Sequence, residues 1–337
     1  MRKIILYIIS FVLICFSIPM IFTKKFQNES VDKPIIEEQK NEKLDNTSEK
    51  EYDYKQYTTI NVLHTNNNQI EEMKLDNYLY GVVSAEMPAD FEIEALKAQA
   101  VVARTYTIYK IVNNAGKHEG ANICDASICC QAWISKEDRL AKWEENVRES
   151  NWNKIMQAVN ETVGKIITYN NSPINAFFHS NSGGTTEIPI NVWGGNGYPY
   201  LQVVQTSGED NYKQYKSEVI LSKQEVLDKL KSKHPDINID FNQSDCIKIT
   251  EKTDSGRVRT IKFGNINISG VETRTLLGLK STNFNVSIEN ENIKFSVIGY
   301  GHGVGMSQTG ADSMAKNGKT YEEIIKHFYV GVEITNI

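Results

Sequence analysis

The twenty residues from Ile4 to Thr23 (IILYIISFVLICFSIPMIFT) contain no charged side chain. Roughly 20 apolar residues is the length a helix needs to cross a hydrocarbon layer, so residues 1–23 read as an N-terminal transmembrane anchor. The alternative is a cleaved signal peptide, but no small-residue cleavage site of the A-x-A kind follows before Lys24 and Lys25. Arg2 and Lys3 precede the run and two lysines follow it, which leaves the positive-inside rule little asymmetry to act on. The short N-terminal flank favours a single-pass protein of the cell membrane with its body outside the cytoplasm. Residues 24–53 are rich in Lys, Glu, Asn, Ser and Gln, and such a stretch has too little apolar surface to offset the entropy of ordering; it reads as a flexible tether. The remaining residues, 54–337, are enough for one large domain or two intimate lobes.

Charge narrows the class of partner. The chain has 37 basic and 42 acidic residues, a net of −5. Four of the basic residues (Arg2, Lys3, Lys24, Lys25) lie in the first twenty-five, so the rest carries 33 against 42, a net of −9. A body this acidic lacks the basic footprint that phosphate binding needs, which argues against nucleic acid as a partner.

The pattern after the tether is that of an α+β fold. Residues 54–70 alternate β-branched and polar side chains up to an Asn-rich turn, predicting a strand and hairpin tip. Residues 76–85 run toward Pro88, and proline marks a probable helix boundary, so Glu86 falls at the end of an element. Asp90 can cap the next helix, in which Leu96, Ala100 and Ala103 recur at helical spacing. Two charged helical stretches are expected at 136–149 and 152–163, and β-like runs follow. Helices mainly in the first half of the body and mostly antiparallel strands in the second predict a groove between two intimate lobes.

Four clusters carry reactive side chains: SAEMPADFEIEALKAQAVVARTY, HEGANICDASICCQAW, FFHSNSGGTTE and GYGHGVGMSQTGA. In the second, His118, Cys124, Cys129 and Cys130 gather four donors within thirteen positions, close to what a tetrahedral zinc site requires. A disulfide from Cys124 to Cys129 or Cys130, or simple burial of reduced thiols, are the alternatives. A site closed by four protein ligands has no open position for water, so Zn2+ there would shape a loop rather than catalyse. In the third cluster His179, Ser180 and Ser182 precede Gly183 and Gly184, and paired glycines permit a tight turn that brings backbone N–H groups close to a ligand. Alternating glycines around His302, Gly303, Ser307 and Gln308 do the same in the fourth. Both loops are candidate substrate-binding segments, or glycine-rich turns in which the histidines satisfy backbone groups. Ser, His and Asp are all present, but no G-x-S-x-G elbow exposes a nucleophile.

Taken in order, these four clusters resemble the stage II sporulation protein D family, which includes amidase-enhancer-like proteins. The resemblance runs from about Leu75 to the C-terminus. It implies a membrane-anchored lytic transglycosylase that cleaves the β-1,4 bond between N-acetylmuramic acid and N-acetylglucosamine during engulfment in sporulation, leaving 1,6-anhydro ends. It further implies that the strands are already denuded of stem peptides, and that a cell-wall amidase and other membrane proteins of the engulfment machinery are partners. Ala85-Glu86-Met87-Pro88 matches the family motif whose Glu is catalytic acid and base. One carboxyl suffices where the substrate's own 6-hydroxyl replaces water, whereas hydrolytic glycosidases usually need two. Asp90, Glu92 and Glu94 are candidates for a second. Apolar neighbours Val82, Val83 and Met87 would keep Glu86 partly protonated. Arg104 matches the Arg of an ARTY-like motif and would orient Glu86 or the acidic stem of muramic acid; otherwise it is a helix-face Arg holding a carboxylate. Some family members bind zinc through this Cys loop. By position His118, Cys124 and Cys130 match those ligands, with Cys129 as the fourth or a bystander. The rival reading is a glycan-binding activator of an amidase without catalysis of its own.

Overall fold

The computed structural model describes residues 57–115 and 118–336; the expected anchor (1–23) and tether (24–53) lie outside them. Among the described residues no helix is long and apolar enough to cross a membrane. The body opens with the expected hairpin, β1 (Thr59–His64) against β2 (Gln69–Lys74), turned by Asn68 at φ 58°. Helix α1 (Leu75–Glu86) follows at once. Its buried Leu75, Tyr78, Leu79, Val82 and Val83 keep the i, i+3, i+4, i+7, i+8 spacing of one helix face. Met87 ends it in an extended conformation (φ −120°, ψ 143°), the region to which Pro88 confines the residue before it. Glu86 is therefore the last helical residue.

Helix α2 (Ile93–Val112) is buried on nearly every side, from Ala95 to Ile108 apart from Lys97. Its many Ala and Thr residues keep it thin enough for close packing by its neighbours. Asp90 is not its cap. Glu92 occupies that position without a side-chain cap bond, and its own N–H is held at 2.6 Å by Asp312 Oδ1 from a distant helix. The chain then adds β3 (Ile123–Cys124), parallel to β1, and the two expected charged helices, α3 (Lys136–Lys142) and α4 (Arg148–Asn160). Next come β4 (Lys165–Tyr169), β5 (Ser172–Pro173), β6 (Phe178–His179) and α5 (Pro189–Trp193).

From residue 216 to 298 the chain builds a second, smaller core around Val226, Leu230, Ile261, Phe263, Phe284 and Phe295. Its elements are β7 (Lys216–Ser222), α6 (Lys223–Lys231), β8 (Ile247–Lys252), β9 (Val258–Phe263), β10 (Ile266–Ser269), α7 (Gly270–Leu277), β11 (Phe284–Glu289) and β12 (Asn292–Ile298). They form two antiparallel three-stranded sheets. The chain returns to the first core through β13 (Met306–Ser307), α8 (Gln308–Lys316), α9 (Tyr321–Phe328) and β14 (Glu333–Asn336), which pairs with β4. Among the strands of the described residues, pairing is antiparallel except for β1 with β3 and β6 with β13.

The α+β reading stands: α1 to α4, which include the longest helices, precede residue 165, and most strands follow it, interspersed with the shorter helices α5 to α9. Two of these announce themselves locally: Ser222 with Glu225 and Thr320 with Glu323 form complete capping boxes, the Ser/Thr-x-x-Glu signature that satisfies two orphan N–H groups at a helix start.

Candidate active site and metal centre

Glu86 opens onto a cleft of about 580 Å³ lined also by Pro88, Asp90, Arg139, Trp143, Ser180 and Gln308. No lining residue falls between 216 and 298, so the cleft belongs to the first lobe rather than to a groove between the two. The Ala132 N–H donates to Glu86 Oε1 at 2.7 Å, and the Gln308 side chain also hydrogen-bonds the carboxyl. Burial outweighs these two bonds and raises Glu86 above its ordinary value of 4.5, because a low-dielectric surrounding disfavours the charged form. A carboxyl whose neutral form is favoured in this way, yet whose charged form is still held by two donors, can give up a proton and take one back.

The other acidic candidates are placed less favourably. Glu94 is committed to Lys97 at 2.8 Å and to the Tyr321 N–H at 2.8 Å. Glu92 does not line the cleft, and Asp90 lies exposed within it.

Arg104 is not beside Glu86. Its side chain is 1% exposed, and its guanidinium donates to the carbonyls of Thr162 (2.8 Å), Lys165 (3.2 Å) and Val159 (3.4 Å) and to Asp76 Oδ1 (3.2 Å). It staples α2 to the end of α4 and the turn that leads into β4, adding charged donors to carbonyls that turn N–H groups also reach.

The Cys loop does assemble. His118 Nε2 lies 3.5 Å from Cys130 Sγ and 3.6 Å from Cys129 Sγ, and the two sulfurs are 3.9 Å apart. With Cys124 Sγ, all four ligand atoms fall within 4.8 Å of one another. A tetrahedron with Zn–S of ~2.3 Å and Zn–N of ~2.0 Å has edges of roughly 3.8 Å for S···S and 3.5 Å for N···S, so the donor set fits that ion. The adjacent Cys129 and Cys130 both face inward. The described cysteines, Cys246 included, are free thiols. The hydrogen bond with Cys130 draws the Cys124 thiol down to about 5, while the same bond and burial push Cys130 up and burial raises Cys129. From Cys130 the chain enters buried Gln131, whose Nε2 donates to Thr107 Oγ1 at 3.0 Å and Tyr78 Oη at 3.3 Å. The next residue is Ala132, whose N–H holds Glu86.

The two glycine-rich loops meet through β6 and β13, but as a support more than as a surface. Of their predicted binding residues only Ser180 and Gln308 line the cleft. His179 Nδ1 donates to the Val304 carbonyl at 3.1 Å, and the Val304 N–H donates to His302 Nδ1 at 3.0 Å. The rings lie 5.6 Å apart, with Trp193 5.0 Å from His302. Burial pushes His179 down to about 4 and His302 well below its ordinary value, so both are neutral braces of the strand pair. Gly303 gives passage to Arg257: a Cβ there would lie 2.6 Å from the guanidinium, which donates to the carbonyls of Ser182 (2.7 Å) and Thr185 (2.8 Å).

What organises these loops is Glu209, which no motif marks. This carboxylate is 1% exposed and accepts from the Oγ atoms of Ser182 and Ser307. It also accepts from the Ser182 N–H (3.1 Å), Gly184 N–H (2.9 Å), Thr309 Oγ1 (3.0 Å) and Thr206 Oγ1 (2.6 Å). Burial alone would raise it, but these donors outweigh burial and hold it at about 2. Ser182, Gly184 and Ser307 therefore face a buried anion of the protein itself. Gly183 N–H closes on Asn181 Oδ1 at 2.9 Å.

Fold and site together define an α+β protein with one half-buried carboxyl facing a cleft of mixed polar and apolar lining, and a His/Cys cluster suited to a metal nearby in the chain. The family described as stage II sporulation protein matches residues 63–169. The stage II sporulation protein D of Bacillus subtilis (strain 168) is 36% identical over 279 residues, 82% of this chain and 79% of the relative. That of Bacillus amyloliquefaciens is 35% identical over 82% of this chain and 78% of its own length. The amidase enhancer of Bacillus subtilis (strain 168) is 30% identical over 77% of this chain and 40% of its own length. The chain belongs to the stage II sporulation protein D family.

Proposed function

We propose that this protein is a membrane-anchored lytic transglycosylase of peptidoglycan, acting at the cell surface during engulfment. The observation that carries the reading is the Glu86 carboxyl at the end of α1, raised by burial and facing the cleft. Its proton passes to the glycosidic oxygen as the bond from that oxygen to the anomeric carbon of N-acetylmuramic acid breaks. The resulting carboxylate then takes the proton of the same sugar's 6-hydroxyl as that oxygen bonds to the anomeric carbon. One group thus serves both steps, water is not consumed, and Glu86 ends protonated again.

Ala132 N–H and Gln308 hold the carboxyl while it ionises, since hydrogen bonds to the charged form favour it. Zinc is the ion that the His118, Cys124, Cys129 and Cys130 set suits; bound there it would fix the loop that delivers Ala132. Stem peptides removed beforehand by a wall amidase would leave strands that fit the cleft, and other membrane proteins of the engulfment machinery are the remaining partners.

Purified glycan strands digested with the full-length protein and weighed by mass spectrometry test this. Chains ending one water lighter than a hydrolysed end are expected. Hydrolysed ends would make Asp90 the candidate second carboxyl. Absence of cleavage with retained binding would favour an amidase activator, the reading that likeness to the amidase enhancer supports. Protease added to wall-stripped cells should digest the body beyond Lys24; a protected body would refute export.

A further inference from the structure

We propose that Arg139 determines specificity in the cleft by pairing with the free carboxylate of the muramic-acid lactyl group. This rests on the glycan reading above. Arg139 comes from α3 and lines the same cleft as Glu86. Its Nε is buried and has no hydrogen-bond partner, and no acidic side chain forms an ion pair with it among the described residues. The acids nearest in the cleft are otherwise disposed: Glu86 is held by Ala132 and Gln308, and Asp90 lies exposed without an ion pair. The guanidinium stacks on Trp143, 4.6 Å from the ring centroid, and the Trp143 carbonyl is itself fixed by Arg148 Nε at 2.9 Å.

A half-buried cation without a counter-charge is costly, and buried charges are ordinarily paired. Burial lowers the pKa of Arg139 with no acidic group opposing it. Arg104 and Arg257 also leave Nε unpaired, but their terminal nitrogens donate to protein carbonyls, whereas those of Arg139 have no protein acceptor among the described residues. Stacking holds the planar fork of Arg139 in one orientation, and that fork matches a carboxylate through two parallel hydrogen bonds.

The glycan backbone offers one such group. Its sugars are neutral apart from the lactyl acid on C3 of N-acetylmuramic acid, the ring whose anomeric carbon reacts at Glu86. A stem peptide converts that acid to an amide and removes the charge. Arg139 would therefore favour strands already stripped of peptide by a preceding amidase-type reaction, with no need to exclude the peptide by size.

Binding by the full-length protein in detergent, carrying Glu86→Gln to prevent turnover, tests the assignment. The probes are a denuded muramic-acid oligosaccharide, the same oligosaccharide with its carboxylates converted to methyl amides, and a neutral N-acetylglucosamine oligomer of equal length. Loss of the charge should weaken binding roughly 10- to 100-fold, the size of a hydrogen bond between charged groups. Arg139→Gln should produce the same loss for the acidic probe and less than about twofold for the other two, while Arg139→Lys should recover part of it. Equal affinity for acid and amide probes would overturn the proposal without any variant being needed. An equal loss of all three in Arg139→Gln would overturn it too, by making Arg139 a packing residue. If the acidic probe binds through Arg139 but the unmutated protein leaves it uncut, the transglycosylase reading fails while this one stands.

Discussion

Glu209→Gln removes one charge from the interior and little volume. In the folded protein the carboxyl is held at about 2 against an ordinary value of 4.5, and it is 1% exposed, so solvent screening does not discount the difference. At 1.36 kcal/mol per unit this comes to about 3 kcal/mol of stability at neutral pH. An amide cannot replace it. Each oxygen accepts one backbone N–H, from Ser182 and from Gly184, as well as hydroxyls. Hydroxyls can rotate to accept, but a backbone N–H facing a new NH2 stays unsatisfied, which costs about 1–3 kcal/mol. The expected loss is about 3 kcal/mol or more, a fall in Tm of roughly 6 to 12 °C. The sign follows from linkage. A depressed carboxyl stabilises above its unfolded pKa, and that contribution disappears as pH falls from about 5 to about 2. Thermal and urea unfolding of the full-length protein at pH 7 and at pH 3.0–5.0 should show the gap between parent and variant closing in acid. A gap below about 1 kcal/mol at pH 7, or one unchanged in acid, would refute the account of Glu209 as the charge on which both loops are built.

Glu86→Gln should lower cleavage by roughly 10²- to 10⁴-fold with glycan binding kept, and residual cleavage above about a tenth of the parent rate would shift the proton donor to Asp90. Because burial raises Glu86, its contribution to stability is complete below 4.5 and is lost as pH rises through the raised value, so in melting curves the Gln variant should gain on the parent toward neutral pH. Cleavage by the parent should decline over that same rise as the acid form is depleted. Protein purified without chelator should carry about one zinc per chain by elemental analysis; Cys124→Ser combined with Cys130→Ser should abolish it, since the ligands are thiolates, and retained metal would refute the ligand set. Gly305→Ala should destabilise by about 2 to 6 kcal/mol through backbone strain and overpacking: Gly305 has φ 72°, and its Cβ would lie 1.9 Å from the Phe177 carbonyl. A melting temperature within a degree or two of the parent would show that β6 and β13 have room to part.

Local sequence determined what depends on near neighbours. The stripe from Leu75 to Val83 and the restriction Pro88 places on Met87 put Glu86 at a helix end, and Asn68 turned the first hairpin. The spacing of His118, Cys124, Cys129 and Cys130 limited which atoms could meet, and four motifs in order were enough to place the chain in its family. Tertiary structure decided what depends on residues far apart in the chain. Arg104 stands in a motif that follows Glu86, yet three carbonyls from the end of α4 to the start of β4, with Asp76 of α1, take its guanidinium in another direction. His179 and His302 look like ligand groups in glycine-rich loops until the Val304 backbone occupies them both. The helix expected to be capped by Asp90 starts two residues later, at Glu92, whose N–H is held by Asp312, 220 residues away. Glu209 and Arg139 sit in ordinary charged segments and gain their meaning only from burial, one surrounded by donors and the other left without an acceptor. A charge in a sequence carries no record of its solvation, and solvation is what separates a surface carboxylate from a structural anion or a binding group.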